Sequence, residues 1–107
     1  MVTNTWSAAG SSSWSVAASW SLGHVPAAGE DVVFDGTSVQ NCARDGNTAI
    51  LTSVTVAAAY TGTINFTANT NENYDGAVTI AGGTITCAVD WSFAATNFTM
   101  TGGVINN

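Results

Sequence analysis

At 107 residues the chain has room for one hydrophobic core and no second domain. Hydrophobic residues make up 46% against 7% charged, which excludes a disordered chain and leaves Ser, Thr, Asn and Gly to keep the surface wet. The net charge is −6, with no lysine and a single arginine, Arg44, so the cationic footprint that nucleic acid or an anionic membrane requires is missing.

Residues 1–29 are rich in Ser, Ala and Gly and carry Trp6, Trp14 and Trp20. The start lacks the basic and apolar regions of a secretory signal, and no apolar run approaches the roughly 20 residues of a membrane span. The Trp spacings of 8 and 6 suit alternate positions of extended segments, and Ser15 to Ser21 reads as irregular or extended rather than helical. Pro26 and Gly29 punctuate a turn. Asp31 to Asp35 reads as a buried strand, Thr37 to Cys42 as a second short one, and Arg44 to Asn47 as a turn. Ala49 to Val56 alternates like a half-buried strand, Ala57 to Tyr60 is a corner, and Thr61 to Thr67 is another strand. Ala68 to Gly76 is polar and reads as an exposed loop; Ala77 to Ala81, Thr84 to Val89, Trp91 to Phe93 and a closing segment from Asn97 come next as strands. The prediction is a single all-β domain over 1–107: an arm or cap (1–29), strands and a turn (30–48), and about three β coils (49–107).

The coils are read from a repeat. Val78-Thr79-Ile80-Ala81-Gly82-Gly83-Thr84-Ile85-Thr86 aligns with Phe98-Thr99-Met100-Thr101-Gly102-Gly103-Val104-Ile105-Asn106 at a shift of 20, and Val54 to Asn65 is a looser copy. A fixed period near 20 residues marks stacked repeats that must cover one another's apolar faces. The expected fold is a short β-solenoid-like stack with a Trp-rich N-terminal cap, with a small jelly-roll sandwich as the alternative. Because the last copy runs to Asn107, a coil with an uncovered face is expected there, one that needs a cap or a partner.

The first third carries a further pattern. Thr5-Trp6, Ser13-Trp14, Ser19-Trp20-Ser21, Gly23, Val25-Pro26 and Gly29-Glu30-Asp31-Val32-Val33-Phe34-Asp35-Gly36 form a Trp-rich opening, a Gly-x-x-Pro turn and an acidic lead into an apolar strand. This resembles the segment that opens many surface β-helix proteins of the autotransporter and adhesin type, and some phage structural proteins. The resemblance implies a structural or attachment role and brings no catalytic motif. The lack of a secretion signal and the small number of coils fit a phage virion component better than a large adhesin.

Candidate chemistry is sparse. Glu30, Asp31 and Asp35 are the densest acidic group; they read as turn-capping carboxylates rather than a Ca²⁺ site or a glycosidase pair, for which the basic and acidic partners are too few. His24 reads as an exposed turn histidine. Cys42 and Cys87 allow one disulfide or two buried thiols, and with one distant His they cannot complete a zinc shell. The aromatics Trp6, Trp14, Trp20, Trp91, Tyr60 and Tyr74 could stack on sugars, but core or interface use is the commoner fate. Trp20 and Trp91 are expected in the core, and Trp6 and Trp14 at a subunit contact together with Phe98, Met100, Val104 and Ile105. The pairs Thr61/Thr63, Thr84/Thr86 and Thr99/Thr101 fall at different points of the repeat, so no single ice-binding array is expected.

The expectation is thus a non-enzymatic virion protein without cofactor, a capsid decoration (cement) protein. It would act as a dimer or trimer on the major capsid protein. The alternative is a glycan-binding or adhesion module of a bacterial surface or secreted protein, or of a phage tail fibre.

Overall fold

The computed structural model describes residues 2–45, 51–66, 71–74, 76–87, 92–95 and 97–106. Two five-stranded sheets hold almost all of the regular structure, and the chain visits them alternately. β1 (Val2–Thr5), β3 (Glu30–Phe34), β5 (Ser53–Val56), β8 (Ala77–Ile80) and β11 (Asn97–Met100) lie side by side in the first. The second holds β2 (Ser12–Ser13), β4 (Cys42–Ala43), β6 (Thr63–Asn65), β9 (Thr84–Thr86) and β12 (Val104–Asn106), also in chain order. β7 (Asn71–Asn73) and β10 (Ser92–Ala94) form a third, two-stranded sheet. Every pairing between these strands is parallel. The only other regular element among the described residues is a 3₁₀ turn, Ala17–Ser19. The all-β expectation holds.

The strands form because apolar residues alternate with Thr, Ser and Asn, and the pairing register stacks like on like. In the first sheet Val32, Val54, Val78 and Phe98 make one column, and Phe34, Val56, Ile80 and Met100 the next but one. Between them runs an outward column of Val33, Thr55, Thr79 and Thr99. The second sheet repeats the scheme with Cys42, Ile64, Ile85 and Ile105 facing inward and Ala43, Asn65, Thr86 and Asn106 outward. The interior is filled: the void among Phe34, Val56, Ile64 and Ile85 is about 10 Å³, room for a single water at most.

The first two rows of the stack are closed by aromatics. Trp6, Trp14 and Trp20 surround Phe34, with ring centroids 4.9–5.8 Å apart, and Phe34 meets Tyr60 at 5.2 Å. Trp6 and Trp14 are fully buried, which corrects their assignment to a subunit contact. The reason for Trp6 is register: Thr5 pairs with Val33, so Trp6 falls over Phe34 on the inside, while Trp14 and Trp20 reach the same core from separate segments and pack edge-on against each other. The indole N–H of Trp6 donates to Gln40 O (3.0 Å) and that of Trp20 to Trp14 O (2.7 Å), while the buried Trp14 indole N–H has no hydrogen-bond acceptor among the described residues. The Tyr60 hydroxyl donates to Gln40 O as well, at 2.8 Å.

Several local expectations change. Thr37 to Asn41 is not a strand; pairing begins at Cys42. The turn expected at Arg44 to Asn47 lies partly outside the described residues; Arg44 itself is 2% exposed, its guanidinium 4.4 Å above the Trp14 ring, a cation–π contact in place of water. The stretch expected to be an exposed loop contains β7, and Tyr74 within it is buried. The first 29 residues are not a projecting arm, since β1 and β2 are hydrogen-bonded rows of the sheets. Trp91, expected in the core, lies outside the described residues, as do 46–50, 67–70 and 88–90.

Corners stack as closely as strands. Gly83 has φ +70°, and a Cβ there would lie 2.7 Å from the Tyr60 ring; the equivalent Gly103, φ +75°, would meet Gly82 O at 2.7 Å. Side chains are therefore excluded by both conformation and space. Gly83→Ala is expected to cost about 1–3 kcal/mol, whereas Gly10→Ala, with nothing within 4 Å and no positive φ, leaves the urea midpoint unchanged.

Candidate interaction surface

The two ends of the stack are built differently. At one end β11 and β12 are the last rows of their sheets, joined through Thr101-Gly102-Gly103. One row inward, Val78, Ile80 and Ile85 are 1–3% exposed; their column mates Phe98, Met100 and Ile105 are 46, 39 and 39% exposed. Column and chemistry are shared, and exposure changes because among the described residues no row lies beyond this one. Val104 sits over Thr84 in the outward column, so its exposure belongs to the flank of the stack rather than to its end. Full burial of each of the three inward side chains is worth about 1.5–3 kcal/mol.

The other end is covered. Residues 19–22 run against the outer edge of β1: Ser7 N donates to Ser19 O (2.8 Å), Ser21 N to Thr5 O (2.9 Å), and Thr5 N to Ser21 Oγ (2.9 Å). Trp6 and Trp20 form an antiparallel bridge at the same place. Asn4, fully buried, anchors residues 22–24, accepting from Leu22 N at 3.2 Å and donating to His24 O at 2.9 Å. Edges finished in this way do not invite further strands.

Glu30 completes this cover. Its carboxylate accepts from Asn4 Nδ2 (3.2 Å) and Ala27 N (3.1 Å) and lies 2.5 Å from His24 Nε2. Burial opposes its ionisation, but the hydrogen bonds from His24, the Ala27 N–H and Asn4 outweigh that and hold the carboxyl below its ordinary value. His24 is half exposed, as an exposed turn histidine should be. Asp31 accepts from Ser53 Oγ at 2.6 Å, and Asp35 from Thr37 N at 2.8 Å. The three acids are thus each spent on a local turn or row, and among the described residues no three metal-binding side chains converge.

The cysteines are free and buried, which corrects the disulfide option for Cys42 and Cys87. Cys42 shares a column with Ile64 and Ile85, two rows apart, and Cys87 lies two residues beyond Ile85. At about 4.8 Å per row and 3.3 Å per residue, the Cα atoms are on the order of 12 Å apart, beyond the roughly 7 Å a bridge tolerates. Burial pushes the Cys42 thiol up, away from the reactive thiolate.

Of the six aromatics named for sugar stacking, Trp6, Trp14, Trp20, Tyr60 and Tyr74 are buried, and Trp91 lies outside the described residues. The second sheet does bear a shallow trough of about 380 Å³ on its outer side, lined by Ser11, Ser13, Asn41, Ala43, Thr63 and Asn65. No aromatic or charged side chain lines it. Counting Thr-x-Thr pairs also missed a ladder drawn from other positions, Thr55–Thr79–Thr99, but the column beside it holds Ala77 and Asn97. Comparison with protein-family models, with curated proteins and with solved structures finds no match.

Two measurements check this geometry. The Glu30 contribution is present in full above the ordinary carboxyl value near 4.5 and is lost as pH falls through the lower folded value. Glu30→Gln should therefore flatten the acid limb of stability against pH while lowering stability at pH 7. Alkylation followed by intact-mass analysis should label no thiol in the native protein and both Cys42 and Cys87 in denaturant; a mass deficit of two hydrogens would contradict the geometry.

Proposed function

We propose that this chain is a short β-solenoid serving as a non-enzymatic structural protein of a phage virion, a capsid decoration protein that works by docking. The solenoid reading is supported by the alternation of the chain between two sheets and by parallel pairing throughout; a jelly roll is assembled from antiparallel strands. The single observation that carries the functional reading is the contrast between the ends, one sealed by residues 19–24 and one displaying Phe98, Met100 and Ile105. An apolar patch of this kind supports a contact with another protein.

The mechanism is passive. Thr, Ser and Asn on the outward columns keep the flanks wet, while the apolar end is desolvated on contact with a neighbouring subunit or with the major capsid protein. No covalent step is required, and Glu30, Asp31, Asp35 and His24 are engaged in local structure. The virion assignment itself rests on the Trp-rich opening and its resemblance to phage and adhesin-type β-helix proteins.

Co-sedimentation with bare capsids tests it. The protein is expected to add to the shell and raise its melting temperature, and Ile105→Asp should abolish addition while leaving the fold intact. Retention on a glycan array with no addition to capsids would replace this reading with the adhesion module.

A further inference from the structure

We propose that residues 22–28 form an acid-released flap: the side chains of Asn4 and Glu30 close it over the first row of the stack, and proton uptake by Glu30 opens it while both sheets stay intact. The device lies at the end opposite the proposed docking surface and is independent of it.

The covering segment is held in two different ways. Residues 19–21 are bonded to the main chain of β1, and Trp20 is 2% exposed. Residues 22–28 are tied down through side chains. Leu22 N donates to Asn4 Oδ1 (3.2 Å), Asn4 Nδ2 donates to His24 O (2.9 Å), Ala27 N donates to Glu30 Oε1 (3.1 Å), and His24 Nε2 lies 2.5 Å from Glu30 Oε2. Asn4 Nδ2 also reaches Glu30 Oε1 at 3.2 Å, so these ties converge on one linked pair. Beneath them Pro26 is fully buried and Val25 packs against the core, an apolar contact that acid leaves unchanged. Gly23 and Gly29, at φ +75° and +85° with open space around both, mark where the segment can pivot.

Glu30 makes closure depend on pH. It opens β3 on the inward side, the side of Val32 and Phe34, and its side chain is 12% exposed. Among the described residues, His24 of the covering segment is the one titratable side chain that faces it. β1 and β5 contribute none, and Asp31 points the opposite way, accepting from Ser53 Oγ at 2.6 Å. Burial opposes the charge on Glu30, but hydrogen bonds from His24, the Ala27 N–H and Asn4 outweigh it, so the closed form holds the carboxyl below its ordinary value. With the flap open those bonds are gone, and the carboxyl returns to that value, near 4.5. Opening therefore takes up a proton between 4.5 and the lower closed value, and acid drives it. The columns Val32–Val54–Val78 and Phe34–Val56–Ile80 contain no ionisable group, so the same acid leaves the sheets in place.

Amide exchange followed residue by residue by nuclear magnetic resonance, from about pH 6 to about pH 3, tests this on the unaltered chain. After correction for intrinsic exchange, protection at Leu22 and Ala27 should fall below pH 4.5 by up to about tenfold per pH unit, the slope of a single proton taken up on opening. Ala57 and Ala81, which donate to Phe34 O and Val56 O within the first sheet, should keep theirs. Glu30→Gln retains an oxygen acceptor without the charge and should make protection at Leu22 and Ala27 independent of pH. Asp31→Asn should leave the original profile as it is. Near-ultraviolet circular dichroism of the buried tryptophans reports that each variant is folded. Loss of protection at all four amides together overturns the proposal, as does steady protection at Leu22 and Ala27 through the acid range, or a fall that survives Glu30→Gln. The unaltered chain decides the matter should Glu30→Gln fail to fold, and neither result bears on addition to capsids.

Discussion

Each row of the two sheets must place its apolar side chains directly over those of the row before, and this vertical register governs everything else. The side-chain period of a strand is two, so a slip of one residue in any row would turn its Val, Ile or Phe to solvent and bring Thr or Asn inside. The stacked columns Val32–Val54–Val78 and Phe34–Val56–Ile80 show how strictly the rule is kept. The Gly82-Gly83 and Gly102-Gly103 corners are its corollary: rows cannot sit in register unless their connections also stack at backbone distance.

A stack of this kind has two ends, and the chain treats them unequally. At the start, three indoles, Phe34 and Tyr60 fill the interior, and a returning segment bonds the first edge. The large aromatics are suited to that place because aliphatic columns have no further row to complete them, and one indole covers an area that would otherwise take several Val side chains. At the other end, the described columns stop on Phe98, Met100 and Ile105. The proposed function lies in that asymmetry more than in any cluster of reactive groups.

Much of this was legible in the residues. The 20-residue repeat located β8, β9, β11 and β12 and the exposed last row, because duplicated alternation is a strong signal. The Val-Val-Phe run located β3. The inward placement of Trp6 and Trp14 was not legible, since even spacing puts residues on one side of a strand without saying which side faces the core. β7 was hidden because Asn71-Glu72-Asn73 has no apolar alternation, and its pairing with β10 joins segments 21 residues apart that share no sequence likeness. The burial of Arg44 was hidden for a similar reason: its neighbours Asp45 and Gly46 give no apolar signal, and only its placement against Trp14 shows that its guanidinium replaces water with an indole face.

That buried arginine has a practical corollary. It is the sole lysine or arginine in the chain, so trypsin has one peptide bond to recognise, and the recognition side chain is clasped against Trp14 in the heart of the aromatic plug. Cleavage there demands that the plug come apart first. Resistance to this one protease is therefore a built-in gauge of whether the sealed end of the molecule is intact.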